Sequence, residues 1–371
     1  MTATGQAARR VLHFLLPGGV DDPAAPSGGN TYDRRVCRAL PAAGWRVHPD
    51  AVPGSWPRPE PGARAELARR LARLPDGAPV LLDGLVACGV PEVIAPEAAR
   101  LRMAVLVHLP LGDETGLAAG PARDLEARER RTLHAVREVV ATSRWAARRL
   151  IALHGLAADR VHVAVPGVDP APLAPGTDGV SRLLCVAAVT PRKAQHRLVE
   201  ALGTVAGTPW TCALVGGTRA HPRYVDRLRS RIGELGLDDR VCLAGPRSGA
   251  ELAAAYATAD LLVLTSRAET YGMVVTEALA RGVPVLATAV DGVPEAVGRA
   301  PDGSVPGLLV PPGEAAALSG ALRDWLADPA LRHRLRASAR GRRAMLDGWE
   351  TTSHSLARVL DRLRQVPGPT R

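Results

Sequence analysis

Short apolar runs alternate with amphipathic segments along the whole 371-residue chain. In the first half the runs are Val11 to Leu16, Val80 to Leu82, Met103 to His108, Glu138 to Thr142 and Arg160 to Val165. Arginine-rich stretches with helical spacing, such as Ala63 to Leu74 and Asp124 to Ala135, separate several of them. Runs too short to be helices, alternating with helical pattern, are the signature of βαβ units around a buried parallel sheet. After Val165 the pattern stops: Pro166, Gly167, Pro170, Pro172, Pro175 and Gly176 follow without periodicity, which predicts a domain boundary. The rhythm restarts with Arg182 to Val189, Thr211 to Val215, Arg240 to Leu243, Leu261 to Leu264, Val283 to Ala287 and Gly307 to Val310. Helices are predicted over His221 to Leu235, Gly249 to Ala257, Ala315 to Leu326, Ala330 to Leu346 and Trp349 to Arg364. The expected class is therefore α/β, with doubly wound parallel-sheet domains over residues 1–170 and 178–346 and a closing helix within 347–371 that packs back on the first domain. Ligands of such sheets bind at the carboxyl ends of the strands, so a site facing both domains across a cleft is expected.

Length and composition agree with two globular cores: 46% of residues are hydrophobic and 23% charged. No stretch approaches the roughly 18 to 20 apolar residues that span a bilayer. The run from Val11 holds His13 and ends in Pro17-Gly18-Gly19, which suits a strand better than a leader. The five cysteines are scattered and sit mostly in strand-like runs, as small buried residues of a reducing cytoplasm would.

The net charge of +10 has a compositional source, because Lys193 is the only lysine, Asn30 the only asparagine and Phe14 the only phenylalanine. The basic residues are dispersed arginines and aromatics are only 3%, so a nucleic-acid surface is not expected. Arg144, Trp145, Arg148 and Arg149 on one helix suit either a solvated face or peripheral contact with an anionic membrane. A lysine that survives such a bias marks a position where an ammonium is needed and a guanidinium does not serve.

Several chemistries have no motif to carry them. Neither half has G-x-G-x-x-G after its first strand, and there is no P-loop, no H-E-x-x-H, no cysteine–histidine cluster and no D-x-D pair at a strand end. Nicotinamide chemistry, P-loop hydrolysis and an obligatory metal are therefore not expected.

The most informative stretch runs from Ser266 to Thr288: a loop with Glu269 and Gly272, a helix with Glu277, then Gly282-Val283-Pro284-Val285. Amides of Gly272, Met273 and Val274 at a helix start would favour a phosphate. Carboxylates on either side of it suit the hydroxyls of a sugar and a ribose. The segment resembles the E-x7-E motif of the retaining GT-B glycosyltransferases (family 4 glycosyltransferases). Cys185 to Leu202 is similar to that family's first donor-domain strand, and Lys193 falls on the lysine that contacts the diphosphate. The stretch also departs from the pattern: Ala187-Ala188 stand where the family has Gly-Arg, and Ala194 where it has glycine. Val139 to Trp145, Val165 to Asp169, Val215-Gly216-Gly217, Gly307 to Gly313 and Asp291 to Glu295 resemble further family segments in order, with Asp291 replacing the first glycine of a G-G-x-P-E turn.

The resemblance implies a GT-B fold of two Rossmann-like domains, acceptor side first and donor side second. It implies a retaining hexosyltransferase using a UDP- or GDP-linked sugar without metal. Glu269, Lys193 and His108 would be catalytic; Arg192, Lys193, Gly272, Met273, Val274 and Glu277 would hold the donor, with Gly28, Gly29, Asn30 and Gly216 close to its phosphates. Asp83, at a strand end, reads equally as an acceptor contact or a turn aspartate. The altered phosphate loop leaves open a non-catalytic nucleotide-sugar-binding relative, and a phosphorylase or epimerase could use the same fold. The expected location is the cytoplasm, with peripheral membrane contact open.

Overall fold

The computed structural model describes residues 10–22 and 27–365. It divides into two compact units. Among the described residues, the first comprises 10–21, 29–167 and 349–365; the second comprises 22, 27–28 and 168–348.

The first unit holds β1 (Val11–Pro17), α1 (Gly28–Ala39), β2 (Arg46–Val52), α2 (Pro61–Ala72), β3 (Pro79–Asp83), α3 (Gly84–Cys88), α4 (Pro91–Ala98), β4 (Arg102–Val107), α5 (Ala119–Ala135), β5 (Glu138–Ala141), α6 (Arg144–His154) and β6 (Val161–Val163). Its six strands form one sheet in the order β2-β1-β3-β4-β5-β6, every pair parallel. Leu15, Leu82, Val105 and Val139 belong to a core over which α2, α4 and α5 lay Leu67, Ile94 and Leu133. The helix starts are local chemistry: Asp83 Oδ1 accepts from Leu85 N at 2.6 Å, and Ser143 Oγ from Ala146 N at 2.9 Å, each an N-cap.

Two features depart from the sequence pattern. β2 carries His48, Pro49 and Asp50, and the pattern missed it because it is an edge strand, mostly solvated, where a proline is tolerated. Gly28 and Gly29, residue types that disfavour helices, open the first helix, and with Asn30 they form its first turn. Ser27, a residue type favoured before a helix, stands immediately ahead of it.

The second unit holds β7 (Arg182–Val186), α7 (Gln195–Gly203), β8 (Thr211–Val215), α8 (Pro222–Glu234), β9 (Val241–Gly245), α9 (Gly249–Ala257), β10 (Leu261–Leu264), α10 (Met273–Leu279), β11 (Val285–Thr288), α11 (Val293–Val297), β12 (Gly307–Val310), α12 (Ala315–Ala327) and α13 (Pro329–Arg343). Its sheet, again all parallel, runs β12-β11-β10-β7-β8-β9. The closing helix, α14 (Trp349–Gln365), belongs to the first unit; its Trp349 meets Tyr32 edge-on, with ring centroids 5.6 Å apart, and Thr352 Oγ1 donates to Val165 O at 2.7 Å. Of the five cysteines, all free, Cys88, Cys185 and Cys212 are buried as expected, whereas Cys242 on edge strand β9 is exposed.

The breaker-rich segment ahead of β7 is held by one buried carboxylate. Asp260, 2% exposed, accepts from Thr177 N (3.1 Å), Thr177 Oγ1 (2.6 Å) and Arg182 N (3.0 Å), and Arg336 approaches it at 3.4 Å. Asp260→Ala leaves the Thr177 and Arg182 amides without their acceptor, and is expected to cost about 2 to 4 kcal/mol of stability in urea denaturation. A change below about 0.5 kcal/mol would show that the segment is held by other contacts.

Candidate functional site

In the second sheet the chain moves from β7 toward β8 on one side and from β10 toward β11 on the other, so the strand order reverses between β7 and β10. Loops leaving the carboxyl ends of two such strands diverge and open a crevice, the usual ligand position in a doubly wound sheet. Lys193 lies on the loop after β7, and Glu269 on the loop after β10. The Lys193 Nζ donates to Glu269 Oε1, and Ser266 Oγ donates to the same oxygen at 2.9 Å. Both side chains are largely withdrawn from solvent, at 16% and 8% exposure.

The two loops are also laced together by backbone. Arg267 N donates to Arg192 O at 2.8 Å, Thr265 Oγ1 to Lys193 O and Ala194 O at 3.3 and 3.2 Å, and Arg192 reaches Ala268 O at 3.4 Å. Burial alone would raise the Glu269 carboxyl, but the charges of Lys193 and Arg192 and the bonds from Lys193 and Ser266 outweigh it and hold it below the ordinary value. Glu269 is thus ionised at any working pH, beside the chain's single ammonium.

Gly272, with φ of 96°, precedes α10, which carries Met273, Val274 and, one turn on, Glu277. Tyr256 of α9 donates to Glu277 Oε2 at 2.7 Å. Gly216, after β8, has a packing reason of its own: a Cβ there would lie 1.9 Å from Ala187 O. The non-glycine residues with positive φ among the described residues are Ala194 (51°) and Asp291 (49°), the two positions where glycine was expected. Asp291 turns its side chain to use, accepting from Glu269 N at 2.9 Å. Ala194, fully buried, keeps the glycine conformation at the steric cost of a Cβ.

The first sheet reverses order between β1 and β3. Around that point lie α1, the end of β3 and the end of β4, which bring Asp33, Asp83 and His108 together. His108 Nε2 is 2.9 Å from Asp33 Oδ1 and 3.6 Å from Asp83 Oδ2. Gly29 packs closely here, because a Cβ would lie 3.1 Å from the His108 ring, which would have to shift slightly to admit it. Asn30 Nδ2 donates to Gly19 O at 3.3 Å, and Tyr32 sets its ring edge-on to His108 at 5.2 Å. Burial pushes Asp33 up to about 7, and burial together with the charge of Asp33 raises Asp83 well above the carboxylate range. Two buried carboxylates whose oxygens lie within 4.8 Å of one another resist ionising together, which favours a proton retained on the pair. Burial lowers His108, so the imidazole is neutral at neutral pH. This is the grouping among the described residues whose donor atoms, within 4.8 Å of one another, could also converge on a cation.

Residues 177–342 match the model of glycosyl transferases group 1. The second unit carries a glycosyl transferases group 1 domain. The chain is 35% identical over 293 residues to a D-inositol 3-phosphate glycosyltransferase of Kineococcus radiotolerans, covering 72% of the chain and 65% of the relative. It is 31% identical over 271 residues to the protein of that name from Jonesia denitrificans, covering 67% and 63%. The alignments thus span just under two thirds of these relatives. Among solved structures, sucrose-phosphate synthase from Thermosynechococcus elongatus superposes with a TM-score of 0.76 at 24% identity, over 96% of this chain and 99% of that one. Anabaena HepE in complex with UDP and glucose gives 0.74 at 20%, over 95% and 99%. The fold is GT-B.

Within the group 1 domain, Lys193, Arg192 and Glu269 come together at the sheet's reversal point, and Glu277 sits one helical turn beyond the Gly272 cap. In the first unit, Gly29 and His108 are neighbours. Sequence reasoning missed Asp33, which lies four residues after Gly29 on the same helix face, and Tyr256, whose partner lies 21 residues away.

Two outcomes follow from this chemistry. The folded state binds its Asp33–Asp83 proton more tightly than the unfolded chain, so the stability this gives is complete below about pH 4 and is lost as pH rises toward 7. Urea denaturation should show wild type losing more stability between pH 5 and pH 8 than Asp33→Asn, and equal losses would contradict a retained proton. Ala194→Gly should raise stability by about 0.5 to 1 kcal/mol by relieving the left-handed alanine, and a loss instead would show that the methyl group's packing outweighs its strain.

Proposed function

We propose that this protein is a retaining glycosyltransferase that moves a hexosyl group from a nucleotide-diphosphate sugar to an acceptor, with the donor held by the group 1 domain. The observation that carries the reading is the placement of the chain's only lysine: Lys193 stands at the reversal point of the second sheet, paired with Glu269. In this reading Lys193 meets the diphosphate, supported by Arg192 and by the amides of Met273 and Val274. Glu269 faces the hydroxyls of the transferred sugar and Glu277 takes the ribose. In the first unit this reading assigns ligand contacts to Gly28, Gly29, Asn30 and His108, the last held by Asp33.

The bond from the anomeric carbon to the phosphate oxygen breaks as the bond to the acceptor oxygen forms on the same face. The departing phosphate oxygen takes the acceptor's proton, so no separate protein base is required. Stabilisation of the leaving diphosphate is then electrostatic, by a preorganised ammonium and guanidinium in a partly dry site, and a metal is not needed. UDP- and GDP-sugars are the donors to test first. HepE was solved with UDP and glucose, and the relatives' names make a polyol phosphate such as D-inositol 3-phosphate the first acceptor to try.

A second reading, a non-catalytic nucleotide-sugar binder, is favoured by Ala187-Ala188 standing where the related pattern has Gly-Arg. The two readings agree on donor binding and differ on turnover. Calorimetric titration with UDP-, GDP- and ADP-sugars should find one donor whose affinity drops roughly 10-fold or more in Lys193→Ala and in Glu277→Ala, the loss of a hydrogen bond to a charged group. Failure of every donor to bind the folded protein would overturn both readings. Donor binding with no glycoside product across the acceptor panel would favour the second.

A further inference from the structure

Tyr256 is fully buried on α9, yet its hydroxyl is committed to a half-buried carboxylate on another helix. The hydroxyl lies 2.7 Å from Glu277 Oε2 and 3.4 Å from Val274 O. A phenol has one proton to give, and the short contact to a charged acceptor takes it. Arg281, one turn beyond Glu277, closes the arrangement: its guanidinium lies over the Tyr256 ring, 4.6 Å from the centroid, while its NH1 donates to Glu277 O at 2.8 Å. The ring is therefore covered on its face, the hydroxyl is aimed, and the carboxylate is held by a rigid aromatic arm. Packing alone would be served by phenylalanine, since a buried hydroxyl costs free energy unless it is bonded. Burial and the Glu277 charge also keep the phenol protonated, and so a donor, throughout the working range.

We propose that Tyr256 is a positioning residue for ribose recognition: it orients the Glu277 carboxylate so that its remaining lone pairs accept the ribose hydroxyls of a nucleoside diphosphate. This rests on the donor reading given above. A glutamate on a helix otherwise samples several rotamers, and binding a diol through it would require freezing them. The bond from Tyr256 fixes the rotamer before the ligand arrives, which lowers the cost of binding. Tyr256 is not a catalytic residue, since it acts only through Glu277.

The test is calorimetric binding of UDP, GDP and ADP, each beside its 2′,3′-dideoxy counterpart, to wild type, Tyr256→Phe, Glu277→Ala and the double variant. Wild type should bind one diphosphate at least about 10-fold more tightly than the dideoxy form, the worth of a bond to a charged group. Tyr256→Phe should weaken the ribose form about 5- to 10-fold while leaving the dideoxy form within about 2-fold, so that the preference largely disappears. In Glu277→Ala the preference should already be gone, and adding Tyr256→Phe should change nothing further. Equal weakening of both forms by Tyr256→Phe would assign it a packing role and overturn the proposal. A full preference retained in Tyr256→Phe would overturn it and leave the donor reading standing. If no diphosphate binds the folded wild type, the donor reading and this inference fall together.

Discussion

The ion pair between Lys193 and Glu269 closes two loops that leave the centre of the second sheet. Removing two charges from water is expensive, and a buried pair survives only when each charge has a partner and the remaining hydrogen-bonding capacity is used. Here Ser266 donates to the same carboxylate oxygen, Asp291 accepts the Glu269 amide, and Thr265 and Arg267 bind the Lys193 loop through its backbone. Much of the local geometry follows from keeping that pair satisfied. The left-handed Ala194 turns the chain into α7 immediately after the lysine, and the left-handed Asp291 brings a carboxylate under the Glu269 amide. A site built this way presents a positive and a negative group side by side, which suits a ligand with an anionic diphosphate next to a hydroxyl-rich sugar.

Each unit places its unusual chemistry at the same topological position. Where neighbouring strands send their chains to opposite sides of the sheet, the loops part and side chains from separate segments can converge. In the second unit that position gathers Lys193 and Glu269; in the first it gathers Asp33, Asp83 and His108. The two clusters solve the burial of charge differently. One pairs opposite charges, and the other removes a charge by retaining a proton. The neutral imidazole of His108, bonded to Asp33 and flanked by the edge of Tyr32, is rigid without adding a net charge.

Strands buried on both faces were legible in the sequence because they read as unbroken apolar runs: the β3, β4 and β10 regions fall on their predicted positions. Edge strand β2 was not, because solvent on its outer side permits His48, Pro49 and Asp50. The start of α1 was not legible because Gly28 and Gly29 look like a turn; in the fold Gly29 packs against the His108 ring. Lys193 and Glu269 stood out by scarcity and by motif, but their contact joins residues 76 positions apart and no local pattern reports it. Asp33 and Tyr256 were missed for the same reason: an aspartate and a tyrosine on amphipathic helices look ordinary until a partner from another segment is seen beside them.

The most direct measurement is a crystal structure of the protein with a bound nucleotide-diphosphate sugar. The account predicts the diphosphate within hydrogen-bonding distance of Lys193 Nζ, the transferred sugar beside Glu269 and the ribose beside Glu277. A ligand bound elsewhere, with the Lys193–Glu269 pair undisturbed and distant from it, would contradict the account.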